Sequence, residues 1–302
     1  MSDRNDLREH REQAGEPRYG TIDQAYGTRL ATTPADEDGP VWMVNLMKYR
    51  ERADYADGRA SSISGREADD VYSPLDSLAA VGAAPVFFGN VEQQLLGDDT
   101  TWDRIGVVKY PTRSSFIEMQ SLPSFRESHH HKEAGMERTI VMGTQPMKTP
   151  EAPAGIESVD WADVPHPPTA DDGPVVVLHV LRFADATRAD ETPDHMRDYQ
   201  TAAGRVALAH GVRINGWFAV EGTIIGDGRV WHQVRFNEFP SKAAFMAVVT
   251  DPSRLAAQKD HREVAIADTY TMIVRAGLND LAASIDDQRA ASDGSSSSTR
   301  SA

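Results

Sequence analysis

Residues able to move protons or hold an anion recur at alternate positions in three apolar stretches of the second half of the chain. They are His179 within 175–183, Trp217 and Glu221 within 214–225, and Gln233, Arg235 and Asn237 within 231–239. Alternation along a strand puts every second side chain on one face, so each stretch gathers its polar groups on a single side. A histidine and a glutamate sharing such a face suit proton transfer, because burial and nearby charges draw their pKa values toward neutrality. An arginine beside them suits a carboxylate, enolate or phenolate. The expected catalytic set is therefore His179, Glu221 and Arg235. Substrate contacts are expected from Asn45, Glu92, Arg104, Trp217, Gln233 and Asn237. A structural role competes at each point: the glutamates can pair with strand arginines, and a strand histidine can be a satisfied core residue.

A second candidate is the run His129-His130-His131, followed by Lys132. Neighbours on a helix are about 100° apart, so three consecutive imidazoles cannot all face one ion. Zinc would need further ligands from elsewhere. A solvated helix end, where imidazoles favour the C-terminal dipole, accounts for the run without a ligand. No cofactor is expected, with metal or haem at His129–His131 kept as an alternative. The chain has no Gly-x-Ser-x-Gly elbow and no phosphate-binding glycine loop, and with no cysteine it has neither thiolate ligand nor thiol nucleophile.

The elements that must position these residues occur twice. Residues 82–124 and 211–253 align at a constant offset of 129 without a gap. Identical pairs include Gly82/Gly211, Glu92/Glu221, Gly97/Gly226, Trp102/Trp231, Pro111/Pro240, Phe116/Phe245 and Pro123/Pro252. Asp38-Gly39-Pro40 matches Asp172-Gly173-Pro174, and Tyr72 aligns with Tyr199. After a one-residue insertion, His131-Lys132 aligns with His261-Arg262. A repeat this long means two copies of a small domain rather than a solenoid. Each copy reads β-α-β-β-α-β: strands at 41–49 and 175–183, helices at 67–81 and 193–210, strands at 86–96 and 214–225, strands at 102–110 and 231–239, then a helix capped by Thr112 or Ser241 and strands near 138–143 and 269–275. This order is the ferredoxin-like motif.

The boundaries expected are a polar N-terminal extension over 1–38, a first domain over 39–146, a Pro- and Asp-rich linker over 147–172, a second domain over 173–285, and a disordered tail over 286–302. A net charge of −15 with a pI near 5.1 argues against nucleic-acid binding, which needs a basic face. No apolar run approaches the ~20 residues that span a bilayer, and residues 1–20 hold no signal-peptide core. A cytoplasmic protein with no membrane partner is expected.

Three strings point to a family: Gly-Pro-Val-Trp-Met-Val-Asn-Leu-Met-Lys-Tyr-Arg at 39–50, Ser-Gly-Arg-Glu-Ala at 64–68, and Trp-Asp-Arg-Ile-Gly-Val-Val-Lys-Tyr-Pro-Thr-Arg at 102–113. Together they resemble the DUF1330 branch of the dimeric α+β barrel superfamily, and 231–242 repeats the last string more loosely. The resemblance implies an α+β fold of two tandem ferredoxin-like domains forming an intramolecular dimeric α+β barrel, with further association into a homo-oligomer open to it. That superfamily includes cofactor-free monooxygenases, lactone isomerases and haem enzymes. The implied function is a cofactor-independent isomerase or monooxygenase acting on a small aromatic or carbonyl substrate, with a non-catalytic ligand-binding module as the alternative. In this reading both sheets turn their polar faces inward, away from the helices, and the apolar pairs Ile105/Val234 and Val107/Phe236 lie beneath the helices.

Overall fold

The computed structural model describes residues 17–151, 159–185 and 188–298, with side chains to residue 290. Strand β1 (Thr21–Ile22) and helix α1 (Gln24–Thr32) come first, the helix capped by Asp23 accepting from the Tyr26 amide. The first half continues with β2 (Val41–Tyr49), α2 (Gly65–Tyr72), α3 (Leu75–Ala80), β3 (Ala84–Leu96), β4 (Arg104–Tyr110), α4 (Arg113–Ser121), α5 (Pro123–Gly135) and β5 (Met136–Pro146). The second half has β6 (Val175–Phe183), α6 (Asp194–Ala209), β7 (Arg213–Gly226), β8 (Gln233–Phe239), α7 (Lys242–Thr250) and α8 (Pro252–Ala257). It ends with a π-helical turn (Gln258–Arg262), α9 (Glu263–Ala265), β9 (Ile266–Asn279) and α10 (Leu281–Ser298).

Local chemistry explains most of these limits. Thr112 and Ser241 cap α4 and α7, each accepting from the backbone N–H three residues on. Ser64 and Glu67 form a reciprocal capping box at the start of α2. The single helix expected over 67–81 is two helices, because Pro74 lacks an N–H and constrains the residue before it; Ser73 stands at φ 22°. The one-residue insertion of the second half lies where the π turn sits, as an extra residue in a helix requires. The tail is helical to Ser298 rather than disordered from 286: Leu281, Ser284 and Ile285 are buried a turn apart and anchor α10. The N-terminal extension also differs from a loose polar leader, since Tyr19, Tyr26 and Leu30 are core residues; residues 1–16 lie outside the described residues. No helix among the described residues is long and apolar enough to cross a membrane.

The chain divides into two compact units that do not coincide with its two halves. Unit 1 comprises the chain to Phe88, Trp102–Thr144 and Glu221–Val230; unit 2 comprises Gly89–Thr101, Gln145–Val220 and the chain from Trp231 onward. The long strands β3 and β7 therefore each lend their final portion to the other half's unit. In both halves the strands pair in the same order, fourth-first-third-second: β5-β2-β4-β3 and β9-β6-β8-β7. The β1–β7, β2–β4, β2–β5, β6–β8, β6–β9 and β7–β8 pairings are antiparallel, and β3 also neighbours β9 as β7 neighbours β5.

The sides of the sheets are the reverse of the sequence expectation. In unit 2, Val175, Val177 and Phe239 pack with Ala244, Phe245 and Val248 of α7, and Leu181 and Phe183 pack with Met196 of α6. Odd-numbered residues of β6 and β8 thus face the helices. The even-numbered residues Leu178, Val180, Val234 and Phe236 are fully buried on the other face. In unit 1, Val41, Met43 and Tyr110 likewise pack with Tyr72, Leu78, Met119 and Phe125 of the helices. The grouping of side chains by alternation holds, but His179, Gln233, Arg235 and Asn237 lie beneath helices. The physical reason is that β6 is apolar on both faces, so its alternation could not tell which face a helix covers, and the inner face of α6 carries polar groups that tolerate a polar sheet.

Candidate functional site: a buried arginine without a carboxylate

Register builds one row of side chains across four strands of unit 2. His179 on β6 stands opposite Thr271 on β9 and Arg235 on β8, and Arg235 stands opposite Trp217 on β7. His179 Nδ1 meets Thr271 Oγ1 at 3.1 Å. The Arg235 guanidinium lies 4.2 Å from the Trp217 ring, whose indole N–H donates to Asn237 Oδ1 at 3.0 Å. One step along β8, Gln233 holds Arg235 by accepting from Nε at 3.1 Å. Gln233 is itself fixed by donating to the Ala189 carbonyl at 2.9 Å and by Thr192 Oγ1 at 3.3 Å.

Helix residues close the site from above. With its amide oxygen turned toward the guanidinium, Gln200 of α6 accepts from Arg235 Nη2 at 2.9 Å, and Thr192 Oγ1 lies 3.4 Å from the same nitrogen. Arg262, on the π turn, is also buried and close enough to repel Arg235. Arg254 of α8 donates to the Tyr199 hydroxyl at 3.1 Å, and both Arg254 and Tyr199 interact with Arg262.

Arg235 is 2% exposed, yet its partners are neutral: Gln233, Gln200, Thr192 and an indole face. Among the described residues no carboxylate forms an ion pair with it. Burial, reinforced by Arg262, draws its pKa down to about 9, which still leaves it charged at neutral pH. Burial and then Arg262, Arg235 and Arg254 draw His179 down to about 3, so the imidazole is neutral. Taking an ion out of water costs several kcal/mol unless a partner of opposite charge offsets it. Two buried arginines, a neutral imidazole and an indole ring thus lie together in this part of unit 2.

The other expected site residues lie apart from this group. Glu221 belongs to unit 1, where its carboxylate takes Arg113 Nε at 3.0 Å and the Tyr26 hydroxyl at 3.3 Å. It does not join His179, because β7 has left unit 2 by that residue. Glu92 accepts from Lys242 at 3.0 Å and from Arg275 at 2.8 Å, an exposed ion-pair cluster within unit 2. Asp38 and Asp172 complete these two clusters by capping the helices that carry Arg113 and Lys242. Arg104, in unit 1, pairs with Asp70 at 2.8 Å and Asp69 at 3.3 Å. Asn45, also in unit 1, donates to its own strand at the Met43 carbonyl.

The histidine run splits, His129 facing one way while His130 and His131 stay together beside Tyr55 with ring centroids 4.0 Å apart. His129 stacks on Phe125 and lies 3.3 Å from the Tyr19 hydroxyl, while His131 Nδ1 lies 2.8 Å from the Tyr55 hydroxyl. Sequence reasoning missed Thr192, Gln200 and Arg254, and did not connect Tyr199 and Arg262 with Arg235. A signal for the last two existed: Tyr72 and Lys132 recur as Tyr199 and Arg262, and Lys132 lies 5.4 Å from the Tyr72 ring.

No family model matches this chain, and no curated protein does. Solved structures resemble it. A protein of unknown function from Rhodopseudomonas palustris is 27% identical over 43% of this chain and 98% of its own, with a TM-score of 0.37. An anthrone oxidase-like protein is 15% identical over 82% of this chain and 97% of its own, with a TM-score of 0.46. A chlorite dismutase from Candidatus Nitrospira defluvii is 12% identical over 83% and 95%, with a TM-score of 0.43.

Proposed function

We propose that this chain binds a small organic anion with an aromatic or enolisable carbonyl core at Arg235, within two ferredoxin-like copies that close one α+β barrel. The observation that carries the reading is a deeply buried arginine with neutral partners only, beside a second buried arginine. An arriving carboxylate or enolate supplies the missing charge, and Trp217 offers a face for its planar part. Gln233 and Gln200 preorganise the guanidinium, so little reorganisation is needed when charge develops on the ligand. This is the arrangement that lowers the pKa of a carbon acid or phenol, the step shared by isomerisation and cofactor-independent oxygenation. His179, neutral and tethered to Thr271, is a weak base while the site is empty. An anion between it and the arginines cancels their repulsion and raises its basicity.

Calorimetric titration with benzoate and with its neutral counterpart benzyl alcohol, on wild type and Arg235→Gln, tests the binding role. Benzoate is expected to bind wild type, with affinity lost by about a hundredfold in the variant, since a charge-assisted bidentate contact is worth ~3 kcal/mol. Equal binding of the alcohol, or an unchanged benzoate affinity in Arg235→Gln, sinks the reading.

A further inference from the structure

Three potential ligands converge on the outer flank of unit 2. His195 and Asp198 sit three apart on the first turns of α6, and His261 lies on the π turn packed against that helix. His195 Nδ1 and His261 Nδ1 are 3.4 Å apart, and His261 Nδ1 is 3.9 Å from Asp198 Oδ2. One donor atom from each residue lies within 4.8 Å of the others. Ligand atoms around a tetrahedral ion with bonds of 2.0–2.1 Å are about 3.3 Å from one another, so these atoms need only a small closure. Two imidazoles and one carboxylate are also the ligand types that borderline divalent ions prefer. All three are solvent-accessible to some degree, which gives an ion a path in.

The first half provides an internal control. The residues aligned with His195, Asp198 and His261 are Ala68, Val71 and His131. Only the last can bind a metal, and it is engaged with Tyr55. The triad thus belongs to the second half alone, as does the π turn that carries His261 beside Arg262.

We propose that His195, Asp198 and His261 form a site for a divalent transition metal of the zinc class, joining α6 to the π turn and leaving one coordination position to water. Without metal, the 3.4 Å between the two Nδ1 atoms fits an N–H of one ring donated to the other. The ion takes the place of that proton, which the donor ring then carries on Nε2, and bridges two elements that each hold residues of the anion site, Gln200 and Arg262. The metal site stands whether or not an anion binds at Arg235.

The test is calorimetric titration of the tag-free full chain with zinc, with wild type compared against His195→Ala, Asp198→Asn, His261→Ala and His131→Ala. One equivalent is expected to bind wild type and His131→Ala alike. Removing any of the three ligands is expected to weaken binding by more than about tenfold. Circular dichroism of each variant guards against misfolding, since these side chains are not core residues and the fold should persist. Absence of zinc binding in wild type overturns the proposal, as does binding that survives His195→Ala and His261→Ala or is lost only in His131→Ala.

Discussion

Arg104 in unit 1 and Arg235 in unit 2 lie on equivalent strands, both face helices, and both are almost fully buried. Arg104 is neutralised by Asp69 and Asp70 from α2 and lies near the rings of Tyr49 and Phe88. Arg235 meets Gln200 and Thr192 at the corresponding side. The helices explain the difference. Aligning Tyr72 with Tyr199 places Met196 and Arg197 where the first half has Asp69 and Asp70. Gly106 occupies the strand position of Arg235, and a side chain there would press on Met47, at 3.4 Å, and on Phe88. One half has settled its buried cation internally; the other has built the same framework around a charge with neutral partners, where we propose that an anion binds.

The comparison breaks most readily at Arg104. Arg104→Met strands two carboxylates, one of them buried, and is expected to cost about 3 kcal/mol. Arg235→Met strands none and removes an uncompensated charge, so it should leave the ligand-free protein at least as stable as wild type. Urea melts of the two variants check the pair, and equal destabilisation would erase the distinction between the sites.

Acid titration gives a smaller effect. His179 is held near 3 in the folded protein against about 6.5 when unfolded. Its folded pKa is depressed, so below about pH 6.5 the unfolded chain takes up a proton that the native chain refuses. Stability is therefore full above that pH and lost as pH falls toward 3, by up to about 1.4 kcal/mol per pH unit. His179→Asn, which restores the residue aligned in the first half, should flatten thermal melts between pH 6.5 and 4. Half-buried His129, drawn down to about 4, contributes a slope of the same sign and should keep it in that variant. An identical pH profile in wild type and variant would count against the buried, cation-flanked histidine.

The finest adjustment is Arg197→Asp, which puts a carboxylate where Asp70 stands in the first half. It should weaken benzoate binding roughly tenfold, a Coulombic effect of ~1.4 kcal/mol, with no loss in a ligand-free melt. Unaltered benzoate affinity would mean that counter-charge from α6 is not what separates the two sites.

Much of this framework was legible in the residues. The strand order common to both halves, the caps at Thr112 and Ser241, and the alternation of Gln233, Arg235 and Asn237 all follow from local chemistry. The side of the sheet did not, because Val175–Leu181 is apolar at both parities apart from His179. Glu221 was misplaced because alternation tells which way a side chain points, not which unit a long strand has entered. The missing carboxylate partner of Arg235 was within reach: Asp69 and Asp70 are replaced in an alignment whose helix offset is 127 rather than the 129 of the strands. The π turn was visible as the inserted residue before His261.

The crossing of β7 sets an order of events during synthesis. Unit 1 needs Glu221–Val230, including the carboxylate that meets Arg113 and Tyr26. Domains generally form from the N-terminus as the chain emerges at about 5–20 residues per second. Here the first half cannot finish when its own strands are made. It must wait, one strand short and with Arg113 held by Asp38 alone among carboxylates, for a segment more than a hundred residues downstream.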